Sequence, residues 1–346
     1  MKLMNILLTQ PQTELVNRVK ALGLTCDAHS RQQLTEQLAK ALLNKAHAEK
    51  EWQEMKTAEQ QLLTQMSYGS MFASYTTNEL FTCVKRSERA QFDRIVESLK
   101  SKGWIYREAS GVWHLPLELK DWIKNYTYQV FRQHFILFPD AGTSRSDIIG
   151  DLFQFMEHLA ENGVRLTKNK TIHKKELAAI LRSQSKQEEI PAEKWRFGYG
   201  RHFYYYPDRF SFLYDFCCDQ GWIDEGENLE VTPAWDSGQE ISVNELLERL
   251  CRFYLRLYSR VIPQLPFLLE LIRGVFPDNE GMEEQQLIFL LKQYIDPYYY
   301  DEPETIIKIR IIQMLEYIGV VEIKEMDAAK YVLLQPRSTI KNKKKV

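Results

Sequence analysis

Leu99-Lys-Ser-Lys-Gly103-Trp104-Ile105, followed by Val112-Trp-His-Leu-Pro116, sets the fold because the same phrase recurs twice more. The second copy is Phe216-Cys-Cys-Asp-Gln-Gly221-Trp222-Ile223, then Leu229-Glu-Val-Thr-Pro233. The third is Leu315-Glu-Tyr-Ile-Gly319-Val320-Val321, then Tyr331-Val-Leu-Leu-Gln-Pro336. Each copy is an apolar helix end, a glycine, two apolar residues and a short β run that stops at proline. A glycine just past a helix accepts the left-handed backbone that closes the last turn. Proline cannot donate to a sheet ladder and ends the run. The phrase therefore predicts a glycine-capped helix running into a two-stranded hairpin, which is how a winged-helix unit ends.

The flanking residues extend each copy into a larger unit. Before the first copy, Phe92, Ile95, Val96 and Leu99 fall at i, i+3, i+4 and i+7, the apolar stripe of one helix, with Ser87 as its cap. Thr77-Asn78 offers a cap before Glu79-Leu80-Phe81, and 46–68 reads as one long helix with Trp52, Met55, Leu62, Leu63 and Met66 on its apolar face. Ser110-Gly111 is the hairpin turn. The second unit starts near Ser146-Asp147, with a first helix through Ile149, Leu152, Phe153, Met156 and Leu159, closed by Asn162-Gly163. Val164-Arg-Leu-Thr167 reads as a short strand, 172–181 as the second helix, and Pro207-Asp208-Arg209 opens the third. Its wing turns near Glu225-Gly226. The third unit is the most diverged, with apolar helices over 243–261, 266–276 and 283–295, breaks at Pro263 and Pro266, a Tyr298-Tyr299-Tyr300 loop, and a last helix over 304–318.

At the N-terminus Leu15, Val19 and Leu22, then Leu34, Leu38 and Leu42, give two short helices separated at Gly23-Leu24 and restarted at Ser30-Arg31. The pair is either a packing element or faintly similar to a SAP-type helix pair, which binds DNA in some proteins. The expected fold is mainly α with small β-hairpins, in tandem winged-helix-like units. The expected division is an N-terminal helix pair over 1–45, unit 1 over 46–126, unit 2 over 127–240 with an insertion at 182–206, unit 3 over 241–338, and a basic, disordered tail over 339–346.

Composition narrows the functional classes. The chain has 346 residues, 44% hydrophobic and 27% charged, with a formal net charge of −2, so any nucleic-acid contact must come from local patches. The cysteines, Cys26, Cys83, Cys217, Cys218 and Cys251, form no C-x-x-C pair and read as buried apolar residues. The first residues carry too short an apolar run for a signal peptide, and no stretch is long enough for a membrane span, so the chain reads as cytoplasmic with no membrane partner. There is no G-x-x-x-x-G-K-[ST] loop, no H-E-x-x-H and no G-x-S-x-G. His158 lies on an amphipathic helix and reads as a surface or boundary residue. The chain thus reads as non-catalytic, with no cofactor and no metal.

Two patches could take an anion. Arg165, Lys168, Lys170, His173, Lys174 and Lys175 lead into the second helix of unit 2, where lysines bind phosphates without reading sequence; the same run also fits a solvated face. Lys194-Trp195-Arg196-Phe197-Gly198-Tyr199-Gly200-Arg201-His202-Phe203-Tyr204-Tyr205-Tyr206 interleaves bases with aromatics. Such a segment clamps phosphates while rings stack on unpaired bases, packs its own insertion, or grips a protein. The third helices are a weak basis for groove reading. The first carries Arg94 beside a modest basic run (Lys85, Arg86, Arg89), the second mixes Arg209 with Asp208, Asp215 and Asp219, and the third carries Glu302, Glu304, Lys308, Arg310 and Glu316.

One family resemblance follows from unit 2. Asp151-Leu152, Leu159-Ala160, Val164-Arg-Leu-Thr167 and Ile172-His-Lys-Lys175-Glu-Leu177, with Arg209-Phe210, Leu213, Gly221-Trp222-Ile223 and Val231-Thr232-Pro233, resemble the winged-helix-rich accessory region of bacterial XPB-like helicase proteins. Residues 46–123 are similar to the segment preceding that region, and the helicase motor is absent. The resemblance implies a role in DNA metabolism or beside a helicase, with no catalytic residue to carry over. The resulting expectation is a DNA-binding or adaptor protein of low sequence specificity, on duplex or single strands, with a helicase or other protein subunit as partner. The residues assigned to it are Arg165, Lys168, Lys170, Lys174, Lys175, Lys194, Trp195, Arg196, Arg201 and Tyr204. A protein scaffold whose winged-helix units pack internally and whose aromatic insertion binds a protein partner is the alternative.

Overall fold

The structure is a computed structural model that describes residues 1–69, 74–139, 147–192, 198 and 200–335. The chain is mainly helical with small antiparallel sheets. It opens with α1 (Leu3–Thr9), α2 (Gln12–Ala21) and α3 (Arg31–Leu42), whose Leu3, Ile6, Leu7, Leu15, Val19, Leu34, Leu38 and Leu42 form one small core. The periodicity shows only α2 and α3; α1 is too short for a clear period and ends against Pro11.

The first repeat comprises α4 (Lys45–Glu54), α5 (Thr57–Tyr68), α6 (Thr77–Cys83), a 3₁₀ turn (Arg86–Gln91), α7 (Phe92–Ser101), β1 (Tyr106–Arg107) and β2 (Trp113–His114). The single helix expected over 46–68 is two. Met55 turns extended at ψ 147, and the Glu59 carboxylate accepts the Lys56 N–H at 3.0 Å, starting α5 afresh. The cap of α6 is Thr76, one residue before the expected pair: its hydroxyl accepts from Glu79 N–H while Glu79 accepts from Thr76 N–H, a reciprocal capping box. Ser87 lies inside the 3₁₀ turn and caps nothing. Tyr75 pairs with Trp113, adding a third strand position to the hairpin.

Beyond it, α8 (Leu117–Arg132) runs unbroken through 126, where a unit boundary was expected, because Leu119, Ile123, Thr127 and Phe131 keep one face buried. β3 (Phe135–Leu137) follows. The second repeat is α9 (Ile148–Asn162), β4 (Val164–Arg165), α10 (Lys174–Ser183), α11 (Asp208–Asp219), β5 (Ile223–Glu225) and β6 (Asn228–Val231). α12 (Ala234–Gln239) and α13 (Val243–Tyr258) lead to the third: α14 (Leu265–Val275), β7 (Glu280–Glu283), α15 (Glu284–Leu291), a 3₁₀ turn (Lys292–Tyr294), α16 (Pro303–Thr305), a π-wound stretch (Ile306–Ile312), α17 (Gln313–Tyr317), β8 (Val321–Met326) and β9 (Ala329–Leu334). Pro336 and the tail lie outside the described residues.

All three repeats share one strand order. In each, a strand position ahead of the hairpin pairs with the hairpin's last strand: Tyr75 with β2, β4 with β6, and β7 with β9, with β3 added beside β7. The three glycines behave alike. Gly103, Gly221 and Gly319 have φ of 81°, 70° and 72°. Each donates to the carbonyl three residues back, and the next residue donates five back: Trp104 to Leu99, Trp222 to Cys217, Val320 to Leu315. That double bond is the Schellman closure of a helix. Replacing Gly221 by alanine, whose Cβ would meet nothing within 4 Å, is expected to cost only the backbone strain, about 1–2 kcal/mol. Gly103→Ala should cost more, because its Cβ would lie 2.9 Å from Leu42 Cδ2. Equal losses in urea unfolding would contradict this.

Packing divides the chain into two compact units that cut across the sequence division. One is Met1–Phe135 with Pro263–Phe276 and Gln286–Glu304; the other is Ile136–Ile262 with Pro277–Gln285 and Thr305–Val346. In the first, Trp52, Trp104, Trp122 and Tyr126 form an aromatic box within a larger core. In the second, α11 is the central helix: Arg209 through Cys217 are all buried. Cys217 and Cys251 are buried, Cys26, Cys83 and Cys218 half-buried, and all five are free thiols. No helix among the described residues is long and apolar enough to cross a membrane.

Candidate nucleic-acid interface

Three segments of the second unit meet beside the β5–β6 turn: the loop from β4 to α10, residues 200–206, and the turn itself. The loop is closed by its threonines. Thr167 N–H donates to Thr171 O at 2.8 Å, and the two hydroxyls lie 2.7 Å apart. Lys170 takes a left-handed φ of 56°, and its ammonium reaches the turn, donating to Glu225 O at 3.3 Å and Gly226 O at 2.5 Å. Arg165 sits on β4 opposite Asn228, exposed. Lys174 and Lys175 are exposed in the first turn of α10.

Residues 200–206 join this loop through one buried bond. Ile172 N–H donates to Tyr206 Oη at 2.8 Å, and Tyr206 is fully buried. The two patches that sequence reading kept apart are thus tied together, two residues before Lys174. Tyr204 and Tyr205 stay 45% and 47% exposed on the same short segment. Arg201 donates to Glu225 Oε2 at 3.1 Å, and the same carboxylate accepts from Tyr214 Oη at 2.8 Å and lies 3.1 Å from His202 Nε2. Burial pushes the Glu225 carboxyl up, but the Tyr214 hydroxyl, His202 and Arg201 outweigh it and leave it below the usual range.

Of the assigned residues, Lys170 and Arg201 are therefore partly engaged in holding the junction. Arg165, Lys168, Lys174 and Lys175 are exposed and make no ion pair among the described residues. Lys194, Trp195 and Arg196 lie outside the described residues. His158, on α9, lies 2.6 Å from Glu176 through Nε2, a boundary position. Sequence reading named Glu225 only as part of the hairpin turn and His202 and Tyr206 only as part of the aromatic segment, and it missed Tyr214; their roles are bonds to residues far away in the chain. Among the described residues no group of three His, Cys, Asp or Glu side chains is placed to hold a metal ion.

Asp215 was the one legible signal, a carboxylate inside the apolar run of α11. It accepts Arg201 N–H at 2.9 Å, and its Oδ1 is buried without a hydrogen bond among the described residues. Burial pushes its pKa from 3.8 up to about 6, with the Arg201 amide working the other way. The folded state therefore holds a proton that the unfolded chain has released, so Asp215 costs stability as pH rises through that window. Asp215→Asn keeps an acceptor for Arg201 and removes the titration. The variant should be more stable than the parent by about 1–3 kcal/mol at pH 7 and equal to it near pH 4. Urea unfolding at both values checks this, and a difference that does not change with pH would contradict it.

No protein-family model, no curated protein and no solved structure matches the chain.

Proposed function

We propose that this chain is a non-catalytic DNA-binding adaptor working beside a helicase-type machine, and that its three repeats are winged-helix units. The winged-helix reading is supported by the shared strand order and the three glycine closures. The DNA reading is carried by one observation: the Tyr206–Ile172 bond joins a loop that holds Lys168 and is flanked by Arg165, Lys174 and Lys175, exposed cations with no ion pair among the described residues, to a segment of exposed aromatics. Arg165, Lys168, Lys174 and Lys175 contact phosphates, without reading bases.

Fluorescence anisotropy with labelled DNA tests it. Four phosphate contacts predict an affinity loss of about 50- to 150-fold between roughly 50 and 200 mM salt. Lys174→Glu with Lys175→Glu should weaken binding at least about tenfold and flatten the salt slope by about two contacts. Absence of binding to duplex, single-stranded and forked DNA at low salt would overturn the proposal.

A second reading, a scaffold that grips a protein, is favoured by an aromatic surface in the first unit. Tyr299 and Tyr300 are 78% and 95% exposed at the tip of a two-residue turn closed by paired bonds between Tyr298 and Asp301. Isolation of the native complex, with the Tyr299→Ala/Tyr300→Ala variant losing the partner and DNA binding absent, would decide for it.

A further inference from the structure

Resting on the DNA-binding reading, we infer that the ligand of the junction is single-stranded DNA, with bases stacked on Tyr204 and Tyr205, and that duplex is the poorer ligand. The first reason is the state of the third helices. In a duplex-reading unit that helix presents polar side chains to the major groove. In α11 the residues Arg209 through Cys217 are buried, and Phe253 of α13 lies against Phe212 and Phe216 at ring distances of 5.4 and 5.7 Å. Its exposed Asp219 is an anion held by Arg256 of α13. The helix is covered, and what it still shows is acidic. On α7 the exposed residues are Asp93, Arg94, Glu97 and Ser101, two carboxylates against one cation.

The hairpin gives the second reason. Asp224, Glu227 and Glu230 are exposed on and around the turn whose Glu225 and Gly226 carbonyls hold Lys170 of the cationic loop. A duplex lying along Arg165 and Lys168 would bring its second strand of phosphates toward these carboxylates. A single strand brings one row of phosphates and can turn its bases the other way.

The third reason is that the aromatics are exposed yet held. Tyr205 and Tyr206 both donate their backbone N–H to His202 O, at 2.8 and 3.0 Å, and Tyr206 is anchored in the core. Tyr204 packs on Phe203 with ring centroids 3.9 Å apart, and Phe203 backs onto Gly198, where an added Cβ would lie 2.8 Å from Phe203 Cβ. Held rings lose little freedom on binding. Base–aromatic stacking is tolerant of sequence, which matches a site with no base-edge reader.

The test uses the full chain and two labelled probes, an oligo(dT) strand and a mixed-sequence duplex of about 20 nucleotides each, at about 50 mM salt. Oligo(dT) should bind at least about tenfold tighter than duplex. Tyr204→Ala with Tyr205→Ala should weaken oligo(dT) binding about 30-fold, leave the salt slope unchanged and leave duplex binding unaffected. Tyr204→Phe with Tyr205→Phe should keep oligo(dT) binding, since stacking needs the ring and not the hydroxyl. Both positions are exposed, so a matching circular dichroism spectrum shows that the variants fold. Tyr300→Ala, in the first unit, should change nothing. Equal or tighter duplex binding, an unaffected alanine pair, or loss caused by Tyr300→Ala would overturn this inference and leave the DNA-binding reading standing. Absence of binding to both probes would instead remove the DNA-binding reading itself.

Discussion

Replacing Asp151 by alanine is expected to lower the stability of the second unit by about 3–5 kcal/mol, the loss seen when one partner of a buried ion pair is removed. Arg209 is 0% exposed and Asp151 1%, and the guanidinium is bound to the Asp151 carboxylate. That carboxylate also accepts Ser185 N–H at 2.6 Å and Ser185 Oγ–H at 2.8 Å. Asp151 lies on α9, Arg209 on α11 and Ser185 just after α10, so one side chain gathers the helices of the repeat. Glu188, a few residues on, accepts Arg209 N–H and Phe210 N–H at 3.0 and 2.9 Å and caps α11, which begins after Pro207 and has no side-chain cap of its own. Alanine at 151 would take this carboxylate from the buried Arg209 guanidinium and from the Ser185 amide together. Domains of ordinary stability hold only about 5–15 kcal/mol in all, so the variant should unfold at markedly lower urea. The double variant Asp151→Leu/Arg209→Met removes both charges and should recover most of the loss, because a buried pair is expensive to desolvate. A single variant within about 1 kcal/mol of the parent would contradict the assignment.

Much of this architecture was legible because it is local. Phe92, Ile95, Val96 and Leu99 are buried as their spacing required, and the glycine that follows each repeat's last helix adopts the left-handed backbone the phrase implied. What escaped the sequence lacked a local marker. The break at Met55 has no glycine or proline; a carboxylate four residues on competes for a backbone amide. The continuation of α8 past 126 is set by Thr127 and Phe131 facing a core built from elsewhere in the chain. The division into units escaped for the same reason, since Pro263–Phe276 and Gln286–Glu304 join a body that begins at Met1.

The site shows the same split. Charged runs such as Lys174-Lys175 announce themselves, but their setting does not. Glu225 collects Arg201, His202 and Tyr214, and Tyr206 takes an amide from Ile172, through pairings that span 11 to 34 positions. Tyr206 also sits within the aromatic segment that looked like one binding surface, yet it is core while Tyr204 and Tyr205 are not. The run Tyr204-Tyr205-Tyr206 thus divides its labour: one ring anchors the segment and two remain exposed.

Trp52→Ala should be the most damaging single change in the first unit, about 3–5 kcal/mol from the lost burial of a large aromatic. Trp52 is 5% exposed, and its ring lies 5.9 Å from Trp104, 5.6 Å from Trp122 and 5.5 Å from Tyr126. Trp104 is the first residue after the repeat glycine, while Trp122 and Tyr126 stand one turn apart on α8 and stack on each other at 5.4 Å. Trp52 therefore ties α4 to both the first hairpin and α8, elements far apart in sequence. Tilted and edge-on pairs of this kind add about 0.5–1.5 kcal/mol each beyond area burial. Trp52→Phe keeps an aromatic ring in the box and should cost less than half as much as alanine. The near-ultraviolet circular dichroism of the coupled tryptophans should fall sharply in the alanine variant, alongside a lower urea midpoint. A variant whose midpoint and spectrum both match the parent would show that the box contributes nothing to holding these helices together, and would leave the first repeat to be held by its aliphatic core alone.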